Sequence, residues 1–138
     1  MIRRLLLTTA ALALLTGPAL ALDVARQGPP TAPWKKVSSL VQLPDFVPGL
    51  GTLYVRPETL PAGPFLAYDR QNTLVGTVYM IPMKEMENQK DFSGLDAASL
   101  PVDHVDITFN GGHPGVEEPH YHVTLWHVPE AAVAALSK

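Results

Sequence analysis

The 138-residue chain carries 10 Lys and Arg against 13 Asp and Glu, a net charge of −3, and no cysteine. Without cysteine there is neither a disulfide nor a thiolate metal site, so any metal must rest on His and carboxylate. The acidic balance excludes an electrostatic surface built for nucleic acid or anionic lipid.

Met1-Ile2-Arg3-Arg4 is a short basic start, Leu5 to Leu15 an apolar run, and Ala19-Leu20-Ala21 a small-residue cleavage signal behind Gly17 and Pro18. This pattern predicts a secretory signal peptide over 1–21, too short for a stable membrane span, and a periplasmic or secreted mature chain. With no Cys for a lipid anchor, no membrane attachment is expected after cleavage. Loss of Arg3 and Arg4 leaves 8 basic residues against 13 acidic, a net charge of −5. What remains suits one domain with a single core.

Residues 22–48 hold Pro29, Pro30, Pro33, Pro44 and Pro48 and read as an extended arm, tied to the core by Trp34, Val41 and Phe46. The folded domain is predicted over 49–138. Thr52 to Val55 reads as a strand, followed by a Pro-containing turn over Pro57–Gly63. Pro64–Tyr68 and Thr73–Ile81 are strands joined by the polar turn Asp69-Arg70-Gln71-Asn72, so they should form a hairpin. Pro82 suits the start of a short helix, Met83 to Lys90, and Pro129 opens another, Glu130 to Leu136. The sum is an α+β domain: a mainly antiparallel sheet of about five strands with one or two short helices. The open edges of such a sheet invite self-association into a homo-oligomer.

All five histidines lie between His104 and His127, in DHVDITFNGGHPGVEEPHYHVTLWHV. The stretch reads as two strands, Asp103–Phe109 and His120–Val128, joined by a Gly- and Pro-containing loop. Val105, Ile107 and Phe109 alternate with His104, Asp106 and Thr108; Tyr121, Val123 and Leu125 alternate with His120, His122 and Thr124. If the odd-numbered apolar sets share one core, antiparallel pairing must oppose even positions to even positions. One register sets Asp106 opposite His122, the next Thr108 opposite His122. Either way His104, Asp106, His120 and His122 gather on one polar face, with His113 in the loop above. Opposed Cβ atoms lie roughly 5 Å apart, within reach of one ligand. Imidazoles with a carboxylate suit Zn²⁺, Cu²⁺, Mn²⁺ or Fe²⁺, and the carboxylate can serve instead by orienting a ligating imidazole. His127 falls on the apolar face and reads as a structural or rim residue. Met80, Met83 and Met86 recur every third residue; core packing explains them better than a copper site. Glu117 and Glu118 read as solvated loop residues.

Gly112-His113-Pro114 and Pro119-His120-Tyr121-His122 resemble an exported bacterial family of unknown function, known structurally from a Thermus protein under sigma-E stress-factor control. Its members carry a Gly-His-x-Pro loop and then Pro-His-Phe-Asp-x-His-Phe-Tyr on the next strand. Gly112, His113, Pro119 and His120 match; Tyr121 replaces Phe, His122 stands at the Asp, and Thr124 stands at the second strand His. The resemblance implies an exported single-domain α+β protein and supplies no activity. His120-x-His122 also resembles the strand motif of cupins, though no Glu follows before Glu130.

The expected function is therefore binding of a divalent metal or a small polar ligand through the His-rich face and loop. The alternatives are a small cupin-like metalloenzyme, with no reaction named by the residues, and a structural or envelope-stress protein with a His-rich polar surface.

Overall fold

The computed structural model describes residues 26–138, so the predicted leader over 1–21 lies outside the described residues. A single antiparallel sheet of six strands runs in the order β1-β2-β3-β4-β6-β5. The strands are β1 (Lys35–Lys36), β2 (Thr52–Val55), β3 (Phe65–Tyr68), β4 (Leu74–Pro82), β5 (His104–Asn110) and β6 (His120–Trp126), with short helices α1 (Met83–Glu87) and α2 (Glu130–Ala135). The α+β class agrees with the sequence reading, but the count is six strands rather than about five. The extra one, β1, is two residues long and lies in the stretch read as an arm. Its Lys-Lys carries no apolar alternation, so only pairing with β2 reveals it.

The β3–β4 hairpin forms as the turn chemistry predicts: the Asp69 carboxylate accepts hydrogen bonds from the backbone N–H groups of Gln71 and Thr73, both at 2.9 Å. β4 is buried along its whole length because strands flank it and chain covers both faces. On one face Phe65, Ala67, Val78, Met80 and Trp126 form the main core. The proline-rich segment covers it through Val37, Val41, Leu43 and Phe46, joined by Leu136 after α2. On the other face Tyr54, Leu66, Tyr68 and Leu74 pack with Ala98, Trp34 and Leu100.

β5 and β6 pair with Thr108 opposite His122, Asp106 opposite Thr124 and His104 opposite Trp126. This is the second of the two anticipated registers, and even positions oppose even positions as expected. The burial of the faces is reversed. His120, Thr124 and Trp126, on the face read as polar, are buried. Val105, Ile107 and Phe109, read as the core face, are 50, 67 and 59 % exposed. The cause lies in β4, which pairs Met80 with His122 and Val78 with Thr124, so the even face of β6 continues the main core. The cover on the opposite face, Ala98 and Leu100, packs over Tyr54 to Leu74, while β5 is the sheet edge. Opposite Trp126 stands Gly76, where a Cβ would approach the indole to 3.1 Å. The absent side chain makes room for the ring, which fills the core end of β6.

Candidate metal centre

His120 enters the site from the first residue of β6 and is wholly buried. Its Nδ1 lies 2.8 Å from the Glu118 carbonyl oxygen. A carbonyl only accepts, so Nδ1 carries the proton and donates, and in the neutral ring the Nε2 lone pair is free. His122, two residues on and on the same face, is half-buried with its Nε2 3.1 Å from His120 Nε2. With His120 Nε2 unprotonated, His122 Nε2–H is the donor in the metal-free protein.

His113 arrives from the loop. His113 and Val116 exchange two backbone hydrogen bonds at 2.9 Å, closing a tight turn over Pro114-Gly115. Pro114 sets the first corner and Gly115, at φ +91°, the second, the pattern of a type II turn. A Cβ on Gly115 would also meet Val41 Cγ1 at 2.7 Å, so the turn sits against the proline-rich cover. Asn110 tightens the approach by accepting from the Gly112 N–H at 2.9 Å. The turn leaves the His113 ring centroid 4.9 Å from His120 and 5.9 Å from His122. His113 Nδ1, 3.0 Å from the Pro114 carbonyl oxygen, likewise donates and leaves Nε2 as the free donor atom.

His113, His120 and His122 each offer a ring nitrogen, all within 4.8 Å of one another. A tetrahedral ion with Zn–N near 2.0–2.1 Å needs nitrogens roughly 3.3 to 3.4 Å apart. The His120–His122 pair, at 3.1 Å, is close to that spacing, and the larger adjustment falls to His113 on its loop. Two of the three rings have the distal nitrogen tied to a backbone carbonyl, which is how ligating imidazoles are held in tautomer and orientation. Burial, and then the neighbouring His120 and His113, push the His122 pKa down to about 4. This ring is therefore neutral across the physiological range, and ligation through Nε2 needs only a shift of its proton to Nδ1.

The other predicted ligands lie elsewhere. Asp106 is two residues along β5 from Thr108, the residue facing His122, and its Oδ2 accepts from Trp126 Nε1 at 2.8 Å. His104 is at the far end of β5, stacked near Trp126 and bonded to the Asp103 carboxylate at 2.9 Å. His127 is a satisfied core residue: Nδ1 donates to the Pro101 carbonyl at 3.0 Å and Nε2 accepts from the Thr77 hydroxyl at 2.9 Å. Of the methionines in the three-residue series, Met80 is core and Met86 is exposed. Glu117 and Glu118 are exposed loop residues, as read.

Beside the rings the sheet and its cover line a partly open cavity of about 160 Å³. Leu43, Val47 and Leu50 close it from the proline-rich side, and Phe65, Val78 and Met80 from the sheet. Its polar lining residues are Asn110, His113 and His122. No sequence signal pointed to this cavity, because its walls come from segments up to about eighty residues apart.

The hypothetical protein TTHB210 from Thermus thermophilus is 44% identical to the chain, and its crystal structure matches with a TM-score of 0.62. The match covers 69% of this chain and 88% of that one. The chain belongs to the family of this Thermus protein. No protein-family model and no curated protein matches the chain.

Proposed function

We propose that the protein binds one divalent transition-metal ion through His113, His120 and His122, with Zn²⁺ as the first candidate and Cu²⁺ as its competitor. The convergence of three ring nitrogens within 4.8 Å carries this reading. Three neutral imidazoles without a carboxylate favour Zn²⁺ or Cu²⁺ over oxygen-seeking Mn²⁺. His120 is wholly buried, which suits a ligand position better than a solvated His-rich surface. Three protein ligands leave a fourth position open, the arrangement of catalytic rather than structural zinc sites. That count favours a second reading, a small metalloenzyme in which the ion activates a bound molecule.

The setting belongs to the same proposal. The basic start, apolar run and Ala19-Leu20-Ala21 signal support export to the periplasm or beyond, and the family resemblance alone suggests sigma-E-linked envelope stress as the context. The partner is a metal ion or small molecule rather than nucleic acid or membrane. The test is equilibrium dialysis against Zn²⁺ followed by elemental analysis. One equivalent per chain is expected, with loss of that equivalent in His122→Gln. A metal-free wild type, or a variant that keeps the full equivalent, would overturn the proposal.

A further inference from the structure

The three-histidine group and the apolar cavity share two residues. His113 and His122 each belong to the ring group and to the cavity lining. An ion held by three neutral imidazoles keeps its full +2 charge at the edge of an otherwise apolar space. Such a charge is costly unless an anion pairs with it. Among the described residues no carboxylate belongs to the His group, which leaves the neutralising position to a ligand from outside the protein. The cavity sets the shape of the rest of that ligand. Its volume of about 160 Å³ matches the roughly 150 Å³ cavity that accommodates benzene when lined by Leu, Ile and Phe. The walls away from the rings include Leu43, Val47, Phe65 and Val78, which offer no polar partner to a second head group.

We infer that the site takes a small monoanionic amphiphile, a short-chain or aromatic carboxylate, whose oxygen completes the metal's coordination and whose apolar body fills the cavity. This rests on the metal reading above and names the ligand class of the same site. Met80, opposite His122 in the β4–β6 ladder, lines the cavity beside the ring and provides a soft apolar surface for the ligand's first carbons. Acetate is too short to use the cavity; butanoate, hexanoate and benzoate reach into it.

The experiment uses the protein loaded with Co²⁺, whose visible spectrum reports coordination directly. Titrations with acetate, butanoate, hexanoate and benzoate follow the change in that spectrum. Each methylene buried adds about fourfold in affinity, so butanoate should bind roughly fifteenfold tighter than acetate. Two variants, Val47→Phe and Leu43→Phe, fill the cavity from its cover without touching a ring. Both should keep the Co²⁺ spectrum and the acetate affinity and lose the chain-length gain. A Co²⁺ spectrum with equal affinities from acetate to hexanoate would overturn the inference alone, as would a chain-length gain that survives in both filled variants. Absence of any Co²⁺ band would overturn the metal reading and this inference with it.

Discussion

Replacement of His113 by Ala isolates metal binding from folding, because His113 is on the loop while His120 is buried in the sheet. Zn²⁺ that binds only the native state stabilises it by RT ln(1 + [L]/Kd), about 2.7 kcal/mol at a hundredfold excess over Kd and about 1.4 kcal/mol at tenfold. Unfolding entropy near 2.1 cal/mol/K per residue amounts to about 0.24 kcal/mol/K for a domain of roughly 110 residues. The wild-type Tm should therefore rise by about 11 °C at the hundredfold excess and by about 6 °C at tenfold. His113→Ala leaves two of the three ring ligands, and most of the rise should disappear at the same free Zn²⁺. The assay is thermal unfolding by circular dichroism at buffered free Zn²⁺, with Kd taken from chelator competition. A shift that does not grow with free Zn²⁺, or that His113→Ala retains in full, would refute the three-histidine site.

The remaining predictions concern the parts around the site. Gly115→Ala forces a side chain into a positive-φ turn position and against Val41, costing about 1–3 kcal/mol; a chelator-competition assay should also show metal affinity down at least tenfold, although no ligand is removed. Asp106→Ala should keep one Zn²⁺ per chain but leave the Trp126 N–H, now bonded to Asp106, without its acceptor; the cost is about 1–2 kcal/mol in urea unfolding, and loss of zinc would return Asp106 to the ligand set. The His122 pKa is lowered to about 4 in the native protein, against about 6.5 in the unfolded chain. Between those values the unfolded state binds more protons, so metal-free stability should be flat above about pH 6.5 and fall as the pH drops toward 4. His122→Gln should flatten that fall in urea unfolding between pH 4.5 and 7.5, and an unchanged slope would count against the buried neutral ring. Ile107→Thr, on the 67 % exposed face of β5, should change stability by no more than about 0.5 kcal/mol; a core-sized loss on calorimetry would mean that this face is covered in solution.

Much of the framework was legible in the sequence because it follows from local rules. Apolar β-rich runs between turn residues located β2 to β4, period-two alternation located β5 and β6, the Asp69-to-Thr73 chemistry joined β3 to β4, and the side-chain alternation dictated that even residues of β5 oppose even residues of β6. The Gly-His-Pro-Gly run marked a turn, and confinement of every histidine to one stretch marked the region of the site. Local rules could not say which face of that pair is buried, since both faces carry large side chains. That choice belonged to chain remote in sequence: β4 extends the main core under His122 and Thr124, and the proline-rich cover packs on that core. The same long-range packing drew His113 to His120 and His122. A register two residues from the alternative left Asp106 to Trp126 and His104 near the far end of the ladder. The sequence alone determined β2 to β6, the parity of the β5–β6 pair and the supply of imidazoles. Only the tertiary structure decided which three converge and what space they face, because a cavity and a ligand set are made by residues that share no local pattern.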